Sequence, residues 1–116
     1  MPEGHMTLLV RVVNDVTVLD LDGRLIMGQP VDLLNAKVRD VLDSGHKNLA
    51  INLAGLTYVD SSGVAAMVAA YKEAEKAGTH CKFFAASKRV LQLLRIARLE
   101  TTFMVHADED SVLSSF

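Results

Sequence analysis

Two adjacent serines stand between an acidic residue and a glycine in the tetrapeptide Asp60-Ser61-Ser62-Gly63. It follows an apolar, strand-like run over 49–59 and precedes a helical pattern over 64–77. The first N–H groups of a helix have no intrahelical partner, and the helix dipole favours negative charge there. A serine hydroxyl at this point is well placed for phosphorylation, which would change the surface that a partner contacts. Serine and aspartate are also good helix caps, so a purely structural role stays open.

Catalytic and metal-binding alternatives have weaker signals in the chain. No Gly-x-Ser-x-Gly elbow surrounds Ser62, and no phosphate-cradling Gly-x-x-x-x-Gly-Lys motif is present. The histidines lack the i,i+4 spacing or the Cys-x-x-Cys companion of a metal site, and they fall at predicted loops or element ends: His5, His46, His80 and His106. We therefore expect no enzyme activity, no metal and no cofactor.

Composition indicates one globular domain. The 116 residues are 50% hydrophobic and 22% charged, with a net charge of −2 and no basic stripe, which argues against nucleic acid as the main partner. Cys81 is the only cysteine, so no internal disulfide can form and a cytoplasmic location is expected. No apolar run approaches the roughly 20 residues that span a bilayer, so no direct membrane insertion is expected.

The N-terminal residues 1–6 lack the basic start and the apolar stretch of a signal peptide. We expect them to be disordered or a remnant of the expressed sequence. The single domain is then expected to cover 7–116.

Hydrophobic spacing along the rest of the chain alternates between strand and helix periods. Asn14-Asp15 is a two-residue turn signal between two apolar strands, which should pair antiparallel. Ser87 and Asp108 are candidate N-caps of the last two helices. The predicted strands are 7–13, 16–22, 48–53, 81–86 and 101–106, and the predicted helices begin near 30, 64, 87 and 108.

This order predicts an α/β fold with a mixed β-sheet whose first strand is antiparallel. About four helices should lie mainly on one face of the sheet. Asn48 and Asn52 share one face of the third strand, which indicates that this face is the less well covered.

The run from Leu53 to Val64, with the Asp-Ser-Ser-Gly motif between its strand and its helix, resembles the signature of STAS domains, specifically bacterial anti-sigma factor antagonists. The segment 21–25 and the stretch 88–99, which resembles the third helix of the family, extend the likeness over nearly the whole chain. Gly23-Arg24-Leu25 is followed by Ile26 rather than by the acidic residue that sporulation-type members carry soon after. That difference favours another branch of these domains, whose partners could differ.

The resemblance implies a regulator of transcription that is switched by phosphorylation. In the family, an anti-sigma factor serine kinase phosphorylates the second serine of the motif, which is Ser62 here, and a serine phosphatase removes the phosphate. The unphosphorylated protein binds the anti-sigma factor and thereby frees the sigma factor. Asp60 and Ser61 would shape the loop and contact the kinase, and Gly63 would allow close backbone approach.

Two further segments are candidates for the partner-binding surface. Met27, Gly28 and Gln29 form a glycine-containing loop in which Met27 could be exposed. Ser87 opens the third helix. Other members of the family imply other roles, namely a docking subunit of a transporter or a scaffold in a signalling assembly. The sequence leaves open whether the protein forms a homodimer and whether Ser61 is also modified.

Overall fold

The computed structural model describes residues 5–116, and the expectation for residues 1–4 lies outside them. Four strands and five helices are formed: β1 Met6–Val13, β2 Val16–Leu25, α1 Gln29–Asp43, β3 Asn48–Val59, α2 Ser61–Lys76, β4 His80–Phe84, α3 Lys88–Ile96, α4 Glu100–Phe103 and α5 Glu109–Ser114. Met6 begins β1 and its side chain is buried, so the ordered domain includes this residue.

The sheet has the order β1-β2-β3-β4. β1 pairs antiparallel with β2, whereas β2–β3 and β3–β4 are parallel, as the mixed-sheet prediction requires. The Asn14-Asp15 turn has φ of 50° and 64°, the two positive angles of a type I′ hairpin, whose twist matches that of the strands. The sequence therefore sets the register of the first two strands locally.

Most of the core lies between the sheet and helices α1 to α4. Leu19, Ile51 and Phe83 point to this side from three neighbouring strands, and Leu34 and Met67 pack on them from α1 and α2. A smaller cluster on the opposite face joins Val18, Ala50 and Phe84 to Val112 of α5. Four helices therefore cover one face, while α5 covers part of the other.

The strand predicted over 101–106 is not formed. Residues Glu100–Phe103 make a short helix, α4, and His106 forms only an isolated parallel bridge with Phe84. The ring of Phe103 packs against Phe83, 4.6 Å between centroids, and against Tyr71, 5.7 Å between centroids. Burying this ring in the core outweighs the β-propensity of the Thr-Thr-Phe-Met-Val run.

An ion-pair network joins α5 to the face of the sheet opposite helices α1 to α4. The Arg11 guanidinium donates to the Asp20 carboxylate at 2.6 and 3.1 Å and also to Glu109 of α5. Asn52 donates to the same Asp20 carboxylate at 2.8 Å. The hydrogen bond from Arg11 lowers the pKa of both the Asp20 and the Glu109 carboxyl groups below their ordinary values.

This network should make stability depend on pH. A lowered carboxyl pKa contributes stability that is present above the ordinary values of 3.8 and 4.5 and is lost as the pH falls through the lowered values. Because the groups are partly exposed, Arg11→Gln should cost only about 1 kcal/mol near pH 7. The difference from the unmodified protein should shrink below about pH 4. Urea unfolding near pH 7 and below about pH 4 measures this difference in the free energy of unfolding, with Arg95→Gln on α3 as a control. An equal difference at both pH values would refute a charge-based contact.

Candidate functional site

The two candidate loops lie side by side because β2 and β3 are neighbouring parallel strands. Leu25 pairs with Val59 at their carboxyl ends, so Ile26 and Asp60 continue from adjacent positions. Parallel strands deliver their C-terminal loops to one edge of the sheet, which is where α/β proteins usually bind ligands and partners. The Met27 loop and the serine loop therefore share one surface.

Asp60 ties these loops together and caps α2. One carboxylate oxygen accepts a hydrogen bond from the Gly63 N–H at 2.7 Å, and the other accepts from the Met27 N–H at 3.1 Å. The Asp60 N–H donates to the Leu25 carbonyl oxygen at 3.2 Å. The residue that satisfies the helix end is thus the aspartate, not either serine.

The two serines form the first positions of α2, and their hydroxyl groups are not used for capping. Ser61 is exposed and Ser62 is half-buried. The Ser62 hydroxyl forms no hydrogen bond with any residue in 5–116, and that part of the chain contains no buried side-chain oxygen or nitrogen without a partner. The Ser62 oxygen is therefore in contact with solvent, at a helix end where negative charge is favoured.

Gly63 lets α2 begin directly against the strands. A Cβ atom at this position would lie 2.8 Å from Val59 Cγ1 and still closer to the carbonyl oxygen of Leu25. The backbone of the first helical turn therefore packs where any other residue would collide with main chain. This close approach fixes the position of the neighbouring serines relative to the sheet.

The Met27 loop contains an exposed apolar side chain on a fixed backbone. Met27 is 74% exposed, although its N–H is held by Asp60. Gly28 is exposed and precedes α1 with φ of 103°, a conformation that glycine adopts readily. The Gln29 side chain instead pairs with the Met6 backbone, accepting from its N–H at 3.0 Å and donating to its carbonyl at 3.2 Å.

Ser87 lies at the start of α3, where its hydroxyl accepts from the Val90 N–H at 3.2 Å. The β3–β4 pairing ends at Asn52 and Phe84, whereas the serine loop follows Val59. No hydrogen bond joins Ser87 to the serine loop within residues 5–116. Its contact with a partner stays a prediction, and in this structure its visible role is that of an N-cap.

Sequence reasoning missed an exposed cation and aromatic ring beside the loops. The Arg24 guanidinium carbon lies 5.2 Å from the centroid of the Tyr58 ring, and the tyrosine is 40% exposed. These residues pair across β2 and β3, one position before Leu25 and Val59. Their side chains meet through strand register, which the sequence alone does not define.

The described residues show little that would support another chemistry at this edge. No group of three or more histidine, cysteine, aspartate or glutamate side chains within 5–116 is arranged to hold a metal ion. None of the four histidines hydrogen-bonds to Ser62 in the same part of the chain. A groove of about 560 Å³ lies between α1 and α2, but the serine and Met27 loops contribute no lining residue to it.

The environment of the Cys81 thiol decides whether it can act as a nucleophile. Burial raises the pKa of the Cys81 thiol to about 12, so this side chain is a packing group rather than a nucleophile. Among the helices of residues 5–116, none has the length and apolar character to cross a membrane.

Comparisons with known proteins agree with this architecture. The family model described as "STAS domain" matches residues 7–112. An anti-sigma factor antagonist from Mycobacterium paratuberculosis is 20% identical with a TM-score of 0.84, covering 96% of this chain and 93% of that chain. SpoIIAA, the Bacillus cell fate determinant, in its phosphorylated form is 20% identical with a TM-score of 0.72, covering 94% and 98%.

An anion transporter contains the same fold as one part of a longer chain. The murine anion transporter Solute Carrier 26 family member A9 is 13% identical with a TM-score of 0.73, over 93% of this chain and 21% of the transporter. At these identities the likenesses show the fold alone. A comparison with curated proteins finds no match.

Proposed function

Because the chain belongs to the STAS domain family, we propose that it is an anti-sigma factor antagonist, a non-enzymatic regulator of transcription switched by phosphorylation of Ser62. The observation that supports this proposal most directly is the Ser62 hydroxyl, which contacts solvent and forms no hydrogen bond within residues 5–116. Asp60 caps the helix instead. Structural neighbours named as antagonists support the proposal at the level of fold. The proposed location is the cytoplasm, where kinase, phosphatase and sigma factor would meet.

In the proposed cycle, an anti-sigma factor serine kinase phosphorylates Ser62, and a serine phosphatase hydrolyses the phosphoserine with water, which restores the hydroxyl group and releases inorganic phosphate. The Ser62 oxygen would attack the γ-phosphorus of ATP, the bond to the β,γ-bridging oxygen would break so that ADP leaves, and a base of the kinase would take the hydroxyl proton. Only the unphosphorylated form binds the anti-sigma factor. The exposed side chain of Met27 would pack against the partner, since Asp60 fixes its backbone beside the serines.

Other residues of the surface have narrower proposed roles. Asp60 and Gly63 would act by positioning Ser61 and Ser62, because the carboxylate is occupied by two N–H donors and the glycine is buried. Gly28 would let the backbone approach a partner closely. Gln29 would support this loop through Met6, and Arg24 with Tyr58 would extend the surface. Ser87 is proposed as a more distant contact.

A labelling experiment tests the site. Incubation of the protein with its cognate kinase and ATP, followed by mass spectrometry, should place one phosphate on Ser62. Ser62→Ala should abolish labelling, whereas the matched control Ser61→Ala, one residue away on the same helical turn, should retain it. Labelling of Ser62→Ala to the level of the unmodified protein would refute the assignment.

A second function is docking within a larger assembly, as a subunit of a transporter or as a scaffold. The observation that favours it is the same fold within an anion transporter. In that case the surface of the Ser62 loop would bind its partner without modification. Failure of every cognate kinase to label Ser62, together with recovery of the protein in a membrane-transport complex, would favour docking.

A further inference from the structure

The outer edge of β1 is an open strand edge. In a two-residue hairpin the flanking pair, Val13 and Val16, is hydrogen-bonded, so alternate residues of β1 direct their N–H and C=O groups toward β2. The intervening residues Leu8, Val10 and Val12 direct theirs outward. Within residues 5–116 no other element hydrogen-bonds to these outward groups.

The Gln29 amide provides an independent check on this assignment. It accepts from the Met6 N–H and donates to the Met6 carbonyl, as a neighbouring strand would. Met6 has the same parity as Leu8, so the outward direction of these groups is consistent with the hairpin register. The Gln29 side chain thereby binds the outward backbone groups of Met6 and leaves those of Leu8, Val10 and Val12 without a partner within residues 5–116.

The side chains of the edge are apolar and unusually unprotected. Leu9, Val10 and Val12 are 69%, 49% and 63% exposed. β1 contains no proline and its pairing with β2 is continuous without a bulge. Natural proteins usually protect exposed edges with charges, proline or bulges, because an open apolar edge pairs with other strands.

The charge distribution favours a second copy of this chain. The one charged residue in β1 is Arg11, which is already paired with Asp20 and Glu109. A two-fold axis at Val10 would therefore bring no uncompensated like charges together. Each Val10 would face its counterpart and Leu8 would face Val12 of the other copy, so the hydrogen-bonded pairs are apolar. On the opposite face of the joined sheet, Leu9 would face Arg11, whose charge is already paired within its own copy.

We propose that the protein forms a symmetric homodimer by antiparallel pairing of two β1 strands about Val10. Leu8, Val10 and Val12 exchange their outward N–H···O=C hydrogen bonds with the other copy, joining two four-stranded sheets into one. Their side chains form an apolar strip on the α1 side of the joined sheet. The dimer is independent of the proposed phosphorylation at Ser62, since it uses a different edge of the domain.

The experiment measures the mass of the full chain in solution by sedimentation equilibrium from about 1 µM to about 1 mM, the range of weak to moderate association. The expected result is a concentration-dependent rise from 12.6 kDa to twice that mass. Val10→Lys, which places two ammonium groups on the axis, should weaken the dimer at least tenfold. Val10→Pro removes only an N–H group that points away from β2. It should therefore also weaken the dimer at least tenfold, while the β1–β2 hairpin stays formed.

Ile96→Lys is the matched control, because Ile96 is 73% exposed on α3 and distant in sequence from the edge. It should dimerise as the unmodified protein does. Circular dichroism establishes that each variant is folded. A chain that stays monomeric at about 1 mM would overturn the proposal, and this is also the result expected if the edge pairs only with a strand of another protein. A dimer that survives both Val10 substitutions would overturn it as well.

Discussion

Phosphorylation of Ser62 is expected to weaken binding to the anti-sigma factor by about 30-fold to a few thousand-fold. A phosphoserine adds about −1.5 to −2 charges at neutral pH. Burying such a charge in an interface without its partner costs roughly 2–5 kcal/mol, and each 1.4 kcal/mol is a tenfold change in affinity. The Ser62 hydroxyl is the group that would carry this charge to the surface beside Met27.

The same modification should barely affect the fold. At the N-terminus of α2 the helix dipole favours the phosphate by only about 0.3–1 kcal/mol. The Asp60 carboxylate, which already caps this end, would oppose part of that gain. Phosphorylation is therefore expected to change the affinity for the partner rather than the conformation of the domain.

Calorimetric titration of the anti-sigma factor with both forms of the protein measures the affinity change. Thermal melting and amide spectra of the same samples measure stability and conformation. Treatment with phosphatase provides the control, because it should restore the original affinity without any change in sequence. Equal affinity of the two forms, or a global rearrangement of the spectrum on phosphorylation, would contradict this account.

Gly63→Ala is expected to destabilise the domain by about 3 kcal/mol, the upper part of the range for overpacking. The new methyl group would meet the Leu25 carbonyl and the Val59 side chain, and the carbonyl belongs to a strand that is paired on both sides. Relief requires α2 to move away from the sheet, and Ser61 and Ser62 would move with it. Phosphorylation of Ser62 in this variant should also slow.

Gly78→Ala separates this steric effect from the general cost of losing a glycine. Gly78 has φ of 75° but nothing within 4 Å of an added Cβ atom, so its substitution introduces backbone strain of about 1 kcal/mol without a collision. Chemical denaturation of both variants should show the larger loss at Gly63. A smaller loss at Gly63 than at Gly78 would mean that the start of α2 is not tightly packed.

Local patterns were sufficient for the antiparallel first strand, the mixed sheet and the position of the serine loop. The two-residue turn signal Asn14-Asp15 between apolar strands predicts the β1–β2 hairpin, and the positive φ of both residues confirms a tight turn. Apolar alternation up to Val59 and helical spacing after Gly63 place the two serines at a strand-to-helix junction. The mixed sheet follows from these alternations.

These local patterns do not predict contacts between residues that are far apart in the sequence. Gln29 and Met6 are 23 residues apart, and Arg11 and Glu109 are 98 apart, so only the folded chain brings them together. The segment 101–106 was misassigned for the same reason, since Phe103 gains more from the aromatic cluster than its neighbours gain from extended pairing. The sequence also offered three possible caps at 60–62 and no means to choose Asp60.

The proposed switch at Ser62 is tested most directly by the phosphorylation state of the protein isolated from its native host, which intact-mass and fragment mass spectrometry determine. We expect two populations, unmodified and carrying one phosphate on Ser62, whose ratio changes with the activity of the cognate kinase. Phosphate confined to any other residue, or a permanently unmodified Ser62 while that kinase is active, would contradict the proposed switch.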